Sequence, residues 1–546
     1  MTSANDDGRA LRLAPQEGLF LFAAVLVWAG YVVALGKDTS WDFRNYHWYI
    51  PYAYLNGRMG IDIAVAHMAT YYNPLLDVPF YWLAIHTPAW FALGSLGAVQ
   101  GANVVPLYII ARQTLQFPEN RLAAAALALL GMTGGLTLGL AGTTYYDNVM
   151  SVFTLSSLAM LIGGRETLTV GPLVRAAAIA AIAGFVCGTA AGLKLPETPF
   201  TFGFAAALIA LGGTWRNLLV RTFAGGAGGA LGFFLFGGLW MLHMQHLTGN
   251  PLFPYFNNHY HSPLAAPVDY HDTRFLQPFH DQIILPILFS LDWRVTDDLP
   301  YQDIRIGLAY FALIVAAIGW VIGLFLRRPR EPLTDPTAGR AIVAFVIVTF
   351  IVWVKLFCIY RYILALEMLA PTVIAVAIAS LPIGARARFV TAGATFFLAL
   401  LFSHPQYSER VPVSDPFVEA LAPKITNPEK AMILLTGQEP LGFLAPSFSP
   451  KIPIVRIDGW MYQSSDNTGL TRLAHKRVTE QLKKRHYLYL VADAEQMTRA
   501  HDALEDYNLA ILWQKCRLFD TNIAGTYQLC PVGPWPPGLP HRKGLT

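Results

Sequence analysis

The chain has 546 residues, of which 54% are hydrophobic and 14% charged, with a mean hydropathy of +0.41. An ordinary soluble domain carries about 25% charged residues, so this composition excludes one. The net charge of +4 offers no electrostatic basis for a nucleic-acid partner.

The charge deficit is concentrated in apolar runs near the roughly 20 residues that span a bilayer. The first, 18–36, follows a basic tail with Arg9 and Arg12. That layout fits a signal peptide or a signal anchor, and its length and the runs that follow favour an uncleaved anchor. Further spans are expected at 89–111, 121–141, 146–163, 174–193, 197–213, 221–245, 304–326, 341–356, 362–380 and 388–403, about eleven in all. The Pro-rich stretch 73–90 reads as a helix lying at the interface. Small residues at 225, 228, 229 and 232 in "GGAGGALG" suit close helix packing. After residue 404 the apolar runs shorten to strand length, in "AMILLTG", "PIVRI" and "HYLYLVAD", around a basic helical stretch at 470–485. The expected fold is therefore an all-α polytopic membrane bundle (1–403) followed by a small α/β soluble domain (404–546).

Basic residues set the orientation. With the N-terminus inside, the inner turns carry Arg112 and Arg121, Arg165 and Arg175, Arg216 and Arg221, then Arg327, Arg328, Arg330 and Arg340, then Arg386 and Arg388. The C-terminal domain then lies outside. Together with the absence of any N-x-[ST] sequon, this gives a bacterial inner membrane, a cytoplasmic N-terminus and a periplasmic C-terminal domain as the expected location. Cys516 and Cys530 could form a disulfide there, while Cys187 and Cys358 read as small apolar residues.

Two outer loops are long, 37–88 and 246–303, and long loops on a compact bundle are usually functional. The first opens "WDFRNYHWYIPYAYLNGR". Read as a helix up to Pro51, it puts Asp42, Asn45, Tyr46 and Tyr49 on one face. Asp42 among aromatics suits a general base, and the alternative is a helix cap. Asp147 lies at the outer end of the fourth span, either as a second catalytic acid or as a carboxylate at a helix start. Lys194, Lys355 and Arg361 fall at outer turns, where phosphate binding explains them. Solvation accounts better for Arg44 and Arg58. Glu367 lies inside the tenth span, a functional candidate or half of a buried pair. The second loop holds His243, His246, His259, His261, His271 and His280 with Asp269, Asp272 and Asp281, in no spacing that matches a metal signature.

Taken together, these residues resemble the GT-C superfamily of integral membrane glycosyltransferases, whose members include protein mannosyltransferases and lipid A aminoarabinose transferases. Asp42 occupies the acidic place after the first span, and "NPLLDVPFYWL" at 73–83 resembles the interfacial helix. Asp147 matches the second acid. Lys194 with Pro196, and Arg361 with Tyr362, match the mid-bundle and late turns. The family's Asp-x-Asp or Glu-x-Asp pair is absent, since Phe43 and Arg44 follow Asp42, which leaves a divalent metal open. The resemblance implies transfer of a sugar from a polyprenyl-phosphate donor in the bilayer to a glycan, lipid or protein hydroxyl, with inversion. Asp42 is the expected base and Asp147 its positioning partner. Lys194, Lys355 and Arg361 are expected at the phosphate. Asn45, Tyr46, Tyr49, Arg58, Asn73, Tyr362 and Glu367 are expected at the substrates. A lipid or polysaccharide transporter and a non-catalytic envelope-assembly subunit are the other classes compatible with the sequence.

Overall fold

A computed structural model describes residues 13–118, 120–326, 333–460 and 463–537. Arg9, Arg12, Arg327, Arg328 and Arg330, used above for orientation, lie outside the described residues. Seven helices are long and apolar enough to cross a bilayer: Pro15–Leu35, Ala89–Thr114, Leu173–Leu193, Trp215–Thr248, Arg305–Gly323, Pro336–Leu356 and Tyr360–Ala379. Many of their apolar side chains face outward. Leu19, Phe22 and Val27 on the first helix and Phe311 and Trp320 on Arg305–Leu326 are each at least half exposed, as expected of faces solvated by lipid.

Four of the eleven expected spans are shorter helices: Asn120–Met132, Asp147–Gly163, Thr198–Ala210 and Ala385–Leu401. The expected span 121–141 breaks at Thr133 and resumes only as the single turn Gly135–Gly139. Helix Val78–His86 has nine residues, about 13 Å at ~1.5 Å per residue, against a hydrocarbon core of ~30 Å. It is too short to cross, in keeping with the interfacial reading of 73–90. An apolar helix that the sequence reading missed, Phe279–Leu291, lies within the second long loop.

The glycine motif is a packing device. Helices Leu173–Leu193 and Trp215–Phe233 approach so closely that a Cβ at Gly184 would collide with the carbonyl of Gly225, one at Gly188 with that of Gly229, and one at Gly228 with that of Ala181. Only hydrogen side chains allow this approach.

The C-terminal part is an α/β unit. Strand β1 (Lys37–Asp38) pairs with β2 (Arg410–Val411) and fastens the chain after the first helix to the chain after the last. A six-stranded sheet follows, built from β3 (Ala431–Leu435), β4 (Ile454–Arg456), β5 (Tyr487–Asp493), β6 (Leu509–Ile511), β7 (Arg517–Asp520) and β8 (Thr526–Pro534). Its order is β4-β3-β5-β8-β6, with β7 also on β8; β4-β3-β5 are parallel and β8 is antiparallel to its neighbours. Helix Gly469–Lys483 starts at a Thr468/Thr471 capping box and turns Leu470, Ala474 and Val478 inward. That i, i+4, i+8 stripe is the apolar face of an amphipathic helix. Cys516 and Cys530 are joined by a disulfide, and Cys187 and Cys358 are buried and free.

The first long loop belongs to both parts. Ile63 adds a parallel bridge to Val455 at the β4 edge, covering backbone groups that would otherwise stand open. Arg58 is fully buried. It pairs with Asp62 at 2.6 Å and donates to the carbonyls of Pro450 (2.5 Å) and Ile452 (2.7 Å). Asp62 accepts from the amide of Ile454 at 2.9 Å. These contacts overturn the solvated reading of Arg58. Burial in this low-dielectric seam makes the pair an anchor for the domain, and Arg58 spends its donors on Asp62, Pro450 and Ile452, away from the cavity lining described below. Arg44 is likewise mostly buried, donating Nε to the carbonyl of Thr39 at 2.9 Å and lying 3.5 Å from Glu409.

Candidate functional site

A cavity of about 170 Å³ opens at the domain-bearing end of the bundle. Seven stretches of chain build it. The first long loop supplies Tyr46 and His47, its continuation Tyr72, Asn73 and Asp77, and the turn before helix Asp147–Gly163 supplies Tyr145. Lys194–Pro196 and Gly237–Met244 close one side, and Tyr255 and Tyr362 close the other. Leu193, Leu195, Trp240, Met241 and Met244 add apolar lining to these polar groups. The volume is below the ~300–1,000 Å³ of pockets that hold a whole drug-sized ligand, so it suits a headgroup.

Local backbone irregularities aim these side chains. Phe43–His47 is a π-helical turn, and Phe234–Gly238 is a second one inside the long helix Trp215–Thr248. Such insertions are frequent at functional sites. Asn73 links them to the bundle: its Nδ2 donates to Phe236 O at 2.7 Å and Gly192 O at 3.3 Å. Tyr146 adopts φ 62°, ψ 5°, a left-handed conformation rare for a bulky residue. That kink separates Tyr145, whose ring lines the cavity, from Asp147, which starts the next helix. The Pro51 boundary was misplaced. Helix Tyr49–Leu55 runs through it, because Pro51 lies in the first turn, where an amide has no intrahelical acceptor.

Asp42 is partly exposed and makes no capping bond, which removes the helix-cap alternative. Tyr46 Oη donates to its Oδ2 at 2.9 Å. Burial raises its carboxyl above the usual range, against the opposing pull of Arg361, His47 and the Tyr46 bond. Asp42 is thus joined by one hydrogen bond to Tyr46 of the cavity lining, with part of its surface open. Asp147 stands behind the lining: its carboxylate is buried and forms an ion pair with Lys194. Lys194 also donates to Tyr145 O at 2.9 Å and lies 5.3 Å from the Tyr362 ring centre. An ammonium has three donors, so one is left for a ligand.

Arg361 is held by Asp297 (3.1 Å) and Asp298 (2.7 Å) and lies over the rings of Tyr145 and Tyr362 at 5.5 and 5.2 Å. Burial opposes ionisation of Asp298, yet Arg361 outweighs it and holds that carboxyl down to about 2. Sequence reasoning missed both acids because they lie 63 and 64 residues from Arg361.

Several expected site residues are elsewhere. Lys355 is exposed, 5.1 Å from the ring centre of Phe279, and away from the cavity lining. Asn45 is buried and directs Nδ2 to Ala66 O at 3.4 Å. Tyr49 is buried and donates to Asp62 at 3.0 Å. The face expected to hold Asp42, Asn45, Tyr46 and Tyr49 together is split, because the π-helical turn rotates Asn45 and Tyr49 toward the domain seam. Glu367 is buried and accepts from Thr137 Oγ1 (2.6 Å) and Tyr360 Oη (2.9 Å), away from the cavity lining. The loop histidines do not converge. Among the described residues, a group of three potential metal ligands within reach of one another occurs at His501, Asp502 and Glu505, in the C-terminal domain.

His47 and Asp77 were not anticipated. His47 Nδ1 lies 2.6 Å from Asp77 Oδ1, and their side chains are 8% and 4% exposed. Both line the cavity. The signal in the sequence was an aspartate after "NPLL", which carries no spacing to a histidine thirty residues earlier.

No protein-family model matches the chain, and no curated protein matches it.

Proposed function

We propose that this protein is a membrane glycosyltransferase of the GT-C kind. It moves a sugar from a polyprenyl-phosphate donor to an acceptor hydroxyl on the outer side of a bacterial inner membrane. The observation that carries this reading is the cavity: Lys194, bonded to Asp147, and Tyr46, bonded to Asp42, line one space whose walls carry both polar and apolar side chains. A ligand with a phosphate head and an isoprenoid tail matches that division.

In this mechanism the donor phosphate meets the free donor of Lys194. Asp42 accepts the proton of the acceptor hydroxyl as its oxygen attacks the anomeric carbon. The bond from that carbon to the phosphate oxygen breaks with inversion, and its electron pair stays on the phosphate. Lys194 and Arg361 stabilise the growing charge. Asp147 and the Asp297/Asp298 pair keep those cations in place rather than touching substrate. The C-terminal domain, anchored through Arg58 and Ile63, roofs the acceptor side.

The test is transfer by purified protein from a panel of synthetic polyprenyl-phosphate sugars, wild type beside Asp42→Asn. Transfer by wild type and none by the variant supports the mechanism. Absence of both transfer and donor binding in wild type removes the enzyme reading in favour of a transporter or an assembly subunit.

A further inference from the structure

We infer that the His47–Asp77 pair is an anion subsite that holds a phosphate oxygen of a lipid phosphate through Nε2 of His47. As the donor-phosphate anchor it deepens, and rests on, the function proposed above. Three cationic or basic groups lie around the cavity, and two of them are largely spent. Lys194 serves Asp147 and Tyr145 O, and Arg361 serves Asp297 and Asp298. His47 differs: Nδ1 is taken by Asp77 at 2.6 Å, while Nε2 is buried and has no hydrogen-bond partner among the described residues. A buried polar atom left unpaired costs about 1–3 kcal/mol, so a partner from the cavity is expected.

The chemistry of that partner follows from the pair's protons. A buried pair is cheapest when it carries no net charge. Two arrangements achieve this, a carboxylate beside an imidazolium and a carboxylic acid beside a neutral imidazole. In both, the proton between the residues sits on the Nδ1···Oδ1 line and Nε2 carries hydrogen. Nε2 is then a donor, and its ligand must present an acceptor. Around the ring are Asp42, Asp77, the rings of Tyr46 (4.1 Å) and Tyr146 (5.3 Å), and Lys194, which acts on Asp77. The neighbouring free donor is an ammonium hydrogen of Lys194. Donors on two residues that line one small cavity fit a phosphate oxygen at the end of an apolar chain.

The experiment uses the full chain in lipid nanodiscs, with a polyprenyl monophosphate and the matching phosphate-free polyprenol as probes. Wild type is expected to bind the phosphate more tightly than the alcohol. His47→Ala is expected to lose about tenfold or more for the phosphate, as for a hydrogen bond to a charged group, and nothing for the alcohol. His47→Gln, whose amide places N–H near the Nε2 position, is expected to keep most of the affinity. Lys355→Ala, outside the cavity, is expected to bind as wild type. Thermal melts show which variants fold, and Asp77→Asn gives a second route if His47→Ala does not. Wild-type affinity in a folded His47→Ala variant overturns the subsite, and so does wild type that does not distinguish phosphate from alcohol. The two readings separate cleanly. Phosphate discrimination through His47 without transfer from any donor leaves the subsite and removes the transferase. Asp42-dependent transfer with His47→Ala binding normally does the reverse.

Discussion

Lys194 and Asp147, 47 residues apart, meet as an ion pair that closes one wall of the cavity. Asp147 is buried, and the Lys194 side chain is 18% exposed. Removing one partner of such a pair strands the other charge and costs about 3–5 kcal/mol. Asp147→Ala is therefore expected to lower the melting temperature by several degrees. The double variant Asp147→Leu/Lys194→Met is expected to recover most of that loss while remaining inactive. A double variant as unstable as the single one would show that the pair contributes more than charge compensation.

Asp42 separates stability from activity. Burial raises its carboxyl, so the folded protein holds that proton more tightly than the unfolded chain does. The sign follows: Asp42 favours the fold below its ordinary value of ~3.9 and costs stability once it ionises above its raised value. Asp42→Asn removes a charge that its surroundings disfavour and keeps the shape, so at neutral pH it is expected to melt at or above wild type. Transfer is expected to fall by about 10²–10⁴ as a general base is lost. Unchanged transfer in a folded variant would take Asp42 out of the mechanism.

The same shift predicts a pH profile. A base must be ionised to work, so wild-type kcat/KM is expected to rise with pH through a value above ~3.9 and then level off. Tyr46→Phe removes a bond that favours the ionised form, and is expected to move that limb to higher pH. A limb that stays where it is would mean that another group sets it.

The bundle was legible in the sequence because each span's signal is local: a run of apolar residues states its own role. Lys194, Asp147, Tyr362 and Arg361 could be placed by their position at span ends. Partnerships were not legible. Nothing near Arg361 points to Asp297, nor near His47 to Asp77, because those contacts depend on how loops fold over the bundle. The splitting of Asn45 and Tyr49 from Asp42 came from a π-helical turn, which has no sequence signature. Arg58 was misread as solvated because the carbonyls that it meets, of Pro450 and Ile452, lie 392 and 394 residues later.

That anchoring gives a prediction independent of chemistry. Arg58 and Asp62 are both 1% exposed and join the first long loop to the β4 edge. Arg58→Ala leaves Asp62 uncompensated and two carbonyls without their donor, at a cost of about 3–5 kcal/mol. Limited proteolysis is expected to release the C-terminal domain faster than in wild type, with the helical core intact. Equal release rates would mean that β1–β2 pairing and the Ile63 bridge suffice to hold the domain.

The disulfide tests both stability and side of the membrane. Cys516 and Cys530 are 14 residues apart, and closing a loop of that size stabilises by about 3 kcal/mol in the chain-entropy view. The bond ties the start of β7 to β8, and Cys530 is buried in the sheet. Replacing both cysteines with serine is expected to loosen that edge, read as faster amide exchange in β7 and β8, with little change at the bundle cavity. Since disulfides persist in oxidising compartments, the pair in intact cells is expected to resist thiol alkylation until reductant is added. The buried Cys187 and Cys358 should stay unreactive throughout. Rapid labelling of Cys516 without reductant would instead place the domain on the reducing side.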